Sequence, residues 1–212
     1  MNNDYRTVLK VGVDEIVEKK SRFISSVAPC KTEEEALLFL SEVRKKYSDA
    51  THNVYAYNIR ENNIRRYSDD GEPSGTAGVP TLDVILKEEL CDVCVVVTRY
   101  FGGTLLGAGG LVRAYGKAAK AGLLKAEMAS MIYSEIFDVT ADYGDLGKIE
   151  HEIVSKGYMI LDKIYADKVT LCVCTEKEKS EELIKNLTEC TFGKAEIIRT
   201  GERYVAKKDM EE

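Results

Sequence analysis

The sequence of 212 residues lacks the features that would assign it to the membrane or to the secretory route. No apolar run approaches the ~20 residues of a membrane span. The opening residues, MNNDYRTVLK, contain no apolar segment of a secretory signal. These absences predict a cytoplasmic protein with no membrane partner. In that compartment cysteines are expected to be reduced thiols; the six here are Cys30, Cys91, Cys94, Cys172, Cys174 and Cys190.

The sequence also lacks the sharper motifs of nucleotide and metal sites. The phosphate-loop pattern G-x-x-x-x-G-K-[ST] is absent, and Val112 stands where the third glycine of G-x-G-x-x-G would fall. There are only two histidines, and His52 has no carboxylate or cysteine at ligand spacing, which favours a structural role. No cofactor is predicted. Cys91-x-x-Cys94 suits a redox pair or half a zinc site, but Cys94 lies in an apolar run, so we favour buried structural thiols.

Charge divides the chain near residue 130. Residues 1–130 carry 18 Lys+Arg and 18 Asp+Glu, a balance of zero, so the remaining residues carry all of the net charge of −6. An acidic C-terminal part is a poor general surface for nucleic acid, whereas a neutral part with local basic clusters can still contact phosphates. The split predicts a domain boundary near residue 130.

The glycines of the sequence are concentrated in one stretch. Ten of its sixteen glycines lie between Gly71 and Gly122. Glycine is used where the backbone must reach positive φ or let another group come close. The stretch 65–124 therefore predicts a shaped backbone beside a ligand or partner surface.

Within this stretch a strand, a glycine loop and a helix follow one another. Val93–Val97 is a β-branched apolar run typical of a buried strand, and Leu111 and later residues repeat at helical spacing. Free N–H groups and the helix dipole would then favour an anion at the helix start. The alternative is that the glycines serve tight turns and the cations form a solvated helix face. The predicted phosphate, RNA or partner contacts are Arg65, Arg66, Arg99, Tyr100, Phe101, Gly102, Gly103, Gly107, Gly109, Gly110, Arg113 and Lys117.

An acidic turn, Asp69-Asp70-Gly71-Glu72, precedes the apolar run Val93–Val97. The carboxylates of Asp69, Asp70 and Glu72 offer oxygen ligands for a divalent cation, but the spacing of a calcium-binding loop is missing. We favour a turn ordered by ion pairs with Arg65, Arg66 or Arg99, so no metal site is predicted. Ser74 or Thr76 is expected to cap a helix that runs to about Lys87. Since neither hydroxyl has a His/Asp relay, no catalytic residue is assigned. The loop-ordering set is Asp69, Asp70, Glu72, Ser74 and Thr76.

The remaining periodicities predict two regions of mixed α and β structure. Before Pro29 the sequence alternates as two or three strands, and Thr32 with Glu35 forms a capping box that opens a helix. After residue 130 the order is βαββαβ, typical of a ferredoxin-like domain. There a second capping box, Thr175 with Glu178, is expected to open a helix that buries Leu183, Ile184 and Leu187.

Four motifs resemble the IMPACT/YigZ family: SRFI at 21–24, THNVYAYNI at 51–59, DDGEPSGTAGVP at 69–80 and TRYFGGTLLGAGGLVRAYG at 98–116. The resemblance implies an α+β protein of two domains, 1–130 and 131–206, with a tail at 207–212. The first would be similar to the βαβ fold of a small-subunit ribosomal protein and of domain IV of elongation factor G. The second would be a ferredoxin-like βαββαβ domain.

The resemblance implies a place in translation rather than a reaction. Eukaryotic relatives bind a ribosome-associated scaffold and restrain a translation-control kinase. The first hypothesis is therefore a binding protein that contacts ribosome or RNA phosphates, with Tyr55, Tyr57, Tyr100 and Phe101 available to stack on bases. The second is a protein-docking module. The third is an enzyme for a phosphorylated small molecule, since LGAGGL at 106–111 faintly resembles the glycine loop of small-molecule kinases.

Overall fold

A computed structural model describes residues 4–208, and the chain divides into two compact units. Among these residues the N-terminal unit is Tyr5–Ser130 together with Lys207 and Lys208, and the C-terminal unit is Met131–Ala206 together with Asp4. Across the described range, no helix is both long enough and apolar enough to cross a membrane.

The N-terminal unit is a five-stranded antiparallel sheet covered by helices. Its elements are β1 (Tyr5–Val8), β2 (Gly12–Glu18), β3 (Ser21–Pro29), α1 (Glu33–Lys46), β4 (His52–Ile59), β5 (Ile64–Ser68), α2 (Gly78–Lys87), β6 (Val93–Tyr100) and α3 (Ala108–Lys125). The sheet order is β2-β3-β6-β4-β5, so the strand that leads into the glycine loops lies at its centre.

Strand β6 is a continuous apolar run because both of its faces are covered. Val93, Val95 and Val97 lie in one core cluster with residues of α2 and α3. Cys94 and Val96 lie in another, with residues of α1. The predicted buried strand is confirmed, and its rigidity fixes the start of the loop that follows.

The start of α1 follows its sequence signal. The Thr32 side chain accepts a hydrogen bond from the N–H of Glu35 at 3.2 Å, and the Glu35 carboxylate accepts one from the N–H of Lys31 at 2.6 Å. The predicted N-cap by Thr32 is confirmed, whereas the carboxylate of Glu35 bonds one residue before the cap instead of closing the box on Thr32 itself.

The start of α2 differs from the predicted cap by Ser74 or Thr76. Neither hydroxyl caps this helix, so that prediction was wrong. Asp69 accepts hydrogen bonds from the N–H groups of Gly75, Ala77 and Gly78 at 2.8–3.0 Å. The Asp69 carboxylate, nine residues before Gly78, takes the place of the nearby hydroxyls as acceptor for these N–H groups, because it carries a full negative charge at the positive end of the helix dipole.

Asp69→Ala is expected to lower the free energy of unfolding by about 2 kcal/mol, since three N–H groups lose a charged acceptor. Burial acts to raise the pKa of Asp69, but the three N–H donors outweigh it, so the pKa lies below its ordinary value. The contribution is therefore complete above an unfolded pKa of about 3.9 and is lost as pH falls through the folded value. Urea denaturation at pH 7 and at pH 3 measures it; an equal loss at both pH values would contradict the charge argument.

The C-terminal unit has the order βαββαβ, as predicted. Its elements are β7 (Met128–Ala141), α4 (Leu146–Ser155), β8 (Met159–Tyr165), β9 (Val169–Glu176), α5 (Ser180–Cys190) and β10 (Glu196–Lys208). Strand β9 lies between β7 and β8, and β10 pairs with β7. Ile149 and Ile153 of α4 pack in one core with Leu183 and Leu187 of α5. The ferredoxin-like pattern is confirmed.

Three details of this unit differ from prediction. Thr175 lies within β9 and α5 begins at Ser180 without a side-chain cap, so the second capping box does not form. Ile184 is 40% exposed rather than buried. Lys207 and Lys208 belong to β10 instead of a tail, and the rest of the predicted tail, 209–212, lies outside the described residues.

Candidate functional site

The glycine loop between β6 and α3 packs against the turn between β2 and β3. At Gly102 a Cβ atom would lie 2.1 Å from the carbonyl carbon and oxygen of Lys20, so only glycine fits there. At Gly107, the residue before α3, φ is +73°, a conformation that glycine adopts without strain. The predicted roles of glycine, close approach and positive φ, both occur in this loop.

The β2–β3 turn consists of two lysines in an unusual conformation. Glu18 pairs with Ser21, which leaves Lys19 and Lys20 as the two turn residues. Their φ angles are 45° and 68°. A two-residue hairpin with positive φ at both positions favours Asn-Gly, and lysine is strained there. The chain therefore places two cations beside the glycine loop at a cost in stability.

The start of α3 presents unpaired N–H groups. The first helical hydrogen bond runs from the N–H of Leu111 to the carbonyl of Gly107 at 2.9 Å. The N–H groups of the three preceding residues, Ala108, Gly109 and Gly110, find no acceptor within residues 4–208. Together with the helix dipole they favour an anion at this point.

Three cations surround a small cavity beside this helix start. Lys19, Arg113 and Lys117, which we name the basic cluster, line a cavity of about 230 Å³ with Gly110. All three side chains are exposed, and none is ion-paired to a carboxylate in the described part of the chain. Glu18 also lines the cavity, so the cluster carries one neighbouring negative charge. The sequence from Val93 to Ala126 contains no Asp or Glu, which leaves this face positive.

A second, larger cavity of about 430 Å³ lies on the other side of the helix start. Its walls are mostly apolar, and the four polar side chains among them are those of Thr51, His52, Glu72 and Arg99. We name it the apolar pocket; its principal lining residues are His52, Glu72, Arg99, Phe101, Leu105 and Leu111. Leu106 lines both cavities, so the pocket and the basic cluster are neighbours.

Arg99, predicted to contact phosphate, lies in the interior. It is 5% exposed, and its Nη1 donates to Glu72 Oε1 at 2.6 Å. The Tyr115 hydroxyl donates to the same oxygen at 2.7 Å, and burial together with the Glu72 carboxylate raises the pKa of Tyr115, which keeps it a donor. Arg99 is thus committed to a buried pair and is not available to a backbone phosphate.

This pair leaves one polar atom unsatisfied. Arg99 Nε is buried and has no hydrogen-bond partner among the residues described. The guanidinium lies between two rings, 5.4 Å from the centroid of Phe23 and 5.5 Å from that of Phe101. Its orientation is therefore fixed at the wall of the pocket.

His52 stands at the same wall with a defined tautomer. Its Nδ1 lies 2.7 Å from the carbonyl oxygen of Asp70, which can only accept, so Nδ1 carries a proton. Its Nε2 lies 3.8 Å from Glu72 Oε1. His52 helps to hold the acidic turn, as expected of a structural histidine, and also contributes an edge to the pocket.

Hydrogen bonds and ion pairs hold the acidic turn. Besides the cap made by Asp69 and the buried pair of Glu72, Asp70 accepts from Arg44 at 3.0 Å and from the N–H of Asn53 at 2.6 Å. Within residues 4–208, no group of three or more His, Cys, Asp or Glu side chains is placed to hold a metal ion.

The other predicted contacts lie apart from the basic cluster. Arg65 and Arg66 are on β5, the opposite edge of the sheet from β2, and Arg66 lies 3.8 Å from Glu33. The Tyr100 hydroxyl donates to Asp49 at 2.7 Å. The predicted set therefore separates into the basic cluster with the glycine loop, the apolar pocket and a distant edge strand.

Sequence reasoning missed the two turn lysines and Tyr115. The signal for the lysines was two adjacent cations between two alternating strands, but the Asn-Gly chemistry that marks such a turn is absent. Tyr115 has the spacing of a core residue, and nothing in the sequence connects it with Glu72.

Lys19→Asn/Lys20→Gly is expected to raise the free energy of unfolding by about 1–2 kcal/mol, because Asn-Gly relieves the strain at both positions. The same change should weaken binding of any anionic partner at the basic cluster. Urea denaturation measures the first effect. An unchanged or lower stability would contradict the strained turn, and Lys45→Asn/Lys46→Gly at the end of α1 is a control for the loss of two charges.

Fold and site together define a class: a two-domain α+β protein whose first domain presents a cationic helix start and an apolar pocket beside glycine-rich loops. A family model described as the Impact N-terminal domain matches residues 19–123. A second, described as a domain of unknown function, matches residues 139–194.

The relatives agree with these matches. The chain is 43% identical over 208 residues to the IMPACT family member YvyE of Bacillus subtilis, covering 98% of this chain and 96% of that protein. It is 32% identical over 189 residues to the IMPACT family member YigZ of Escherichia coli, covering 88% and 92%. The Protein IMPACT homolog of Dictyostelium discoideum is 39% identical over 97 residues, 43% of this chain and 28% of that protein. The chain belongs to the IMPACT family.

A solved structure has the same fold. A crystal structure titled as that of a hypothetical protein is similar with a TM-score of 0.58 and 29% sequence identity, covering 96% of this chain and all of that one. The resemblance stated from four motifs is confirmed by the family models and the relatives.

Proposed function

We propose that the N-terminal unit binds RNA phosphates on the ribosome through the basic cluster. The observation that carries the proposal is that three cations without a carboxylate partner line one cavity with Gly110, at a helix start whose first three N–H groups are free. Cations and helix N-termini are what proteins use to hold phosphate groups. A role on the ribosome also places the protein in the cytoplasm.

The strained turn supports this proposal. Two lysines occupy positions where their backbone conformation is unfavourable. Strain of this kind persists where the surrounding structure enforces it, and it is concentrated at sites that bind ligands. Because the family resemblance implies a place in translation, we propose ribosomal RNA as the anion that this site binds.

A protein partner is the second candidate. Phe101 and Leu105 are 47% and 83% exposed beside the glycine loop. Exposed apolar side chains at one place favour docking of a protein. In this case the basic cluster would contribute to the approach of an acidic partner rather than hold phosphate.

Co-sedimentation with ribosomes separates the two candidates. We expect the full chain to sediment with ribosomes at low salt and to be released as salt rises or when accessible RNA is digested. Arg113→Ala/Lys117→Ala should lose this binding. The matched control is Lys120→Ala/Lys125→Ala, which removes the same charge from the other end of α3. Equal loss in both variants, or binding that survives nuclease, would contradict RNA contact at the basic cluster.

A further inference from the structure

The apolar pocket has the size of a ligand site, and its side chains have no role in the phosphate contacts proposed above. Its volume of about 430 Å³ falls in the range of about 300–1,000 Å³ that ligand pockets occupy. Resting on the proposed function, we propose that this pocket receives one unstacked base of the bound RNA, while the start of α3 holds the adjoining phosphate.

The position of the pocket supports a nucleotide. Gly107 and Ala108 line the pocket, and Gly110 lines the cavity of the basic cluster. Three residues of helix advance about 4.5 Å, so the two cavities open within one turn of each other. In addition, Arg113 reaches back toward the helix start, with Nη1 4.0 Å from a Cβ built at Gly109. A base on one side and its phosphate on the other fit this spacing.

The residues that line the apolar pocket favour a planar occupant with polar atoms on its edge. Phe101 offers an aromatic ring that is fixed by the Arg99 guanidinium and still half exposed, as stacking on a base requires. At the pocket wall His52 Nε2 and the Glu72 carboxylate supply acceptors. Every base carries both donors and acceptors on its edges. A purely aliphatic occupant would leave the His52 Nε2 acceptor without a donor.

The test compares the parts of a nucleotide on the full chain. Isothermal titration uses the four ribonucleoside 5′-monophosphates, the matching nucleosides and inorganic phosphate. We expect the monophosphates to bind more tightly than either part alone. Phe101→Ala should weaken monophosphate binding about tenfold, because a stacking surface is lost, and should leave phosphate binding unchanged. Arg113→Ala should weaken both.

The controls keep this inference separate from the proposed function. Tyr67→Ala removes an aromatic ring on β5 that is 50% exposed and lies outside the pocket, and it should change nothing. If the protein binds RNA but Phe101→Ala leaves monophosphate and RNA affinities unchanged, the base pocket is wrong and phosphate contact stands. If the wild type binds neither RNA nor monophosphates, both fail. Monophosphate binding without RNA binding would also overturn both, since the pocket would then serve a free nucleotide.

Discussion

Arg99→Ala is expected to lower the free energy of unfolding of the N-terminal unit by about 3–5 kcal/mol, the cost of leaving one member of a buried ion pair alone. Arg99 and Glu72 are 5% and 8% exposed, so neither charge can recover its hydration in the folded chain. Removing the guanidinium also leaves Glu72 with Tyr115 as its main donor. Hydrogen exchange of peptides from β6 measures the lost free energy of unfolding in the full chain. This measurement does not require the two units to unfold together.

A double-mutant cycle separates the pair from the space it fills. Arg99→Met and Glu72→Gln should each be strongly destabilising, and the double variant should cost less than the sum, because no lone buried charge remains. Glu15→Gln is a control, since its partner Arg22 forms an exposed pair that should contribute less than about 1 kcal/mol. Strict additivity would contradict the coupling.

Lys19→Ala/Arg113→Ala/Lys117→Ala is expected to weaken RNA binding about a hundredfold at 0.1 M salt. Each phosphate contact to a single strand contributes about 0.7 to the slope of log affinity against log salt, so three contacts contribute about 2. Fluorescence anisotropy with a labelled single-stranded RNA, at several salt concentrations, measures both the affinity and the slope.

The slope is the more specific readout of this variant. Arg65→Ala/Arg66→Ala/Lys87→Ala removes the same number of cations outside the cluster, and we expect its slope to stay near that of the wild type. If the cluster variant lost affinity without any change in slope, the lost contacts would not be ionic. If both variants changed the slope equally, binding would be a diffuse effect of net charge rather than a site.

Local signals predicted most of the fold because they depend on neighbours in sequence. The apolar run of β6, the Thr32 cap of α1 and the βαββαβ order all follow from periodicity and short-range hydrogen bonding. Prediction failed where a distant group competed with a local one. Asp69 displaced the expected hydroxyl caps of α2, and Thr175 was drawn into a strand instead of capping α5.

The site could be predicted only in part for the same reason. Glycine spacing and helix periodicity predicted that Gly110, Arg113 and Lys117 contribute to one site, and all three line the cavity of the basic cluster. The burial of Arg99 depends on Glu72 and Tyr115, which approach it from other elements. Lys19 joins the cluster only because Gly102 lets the β2–β3 turn pack against the loop. Such contacts arise from the tertiary fold, and no spacing in the sequence records them.

The most direct measurement is a cross-link from the start of α3 to the ribosome. Val112 is 41% exposed next to Arg113, so a photo-reactive residue is tolerated there; Leu38 on α1, 63% exposed on the other face of the sheet, provides the control position. We predict that the probe at 112 cross-links to ribosomal RNA and the probe at 38 does not. Cross-links from position 112 to protein alone, or equal RNA cross-linking from both positions, would contradict the assignment of this helix start as the RNA contact.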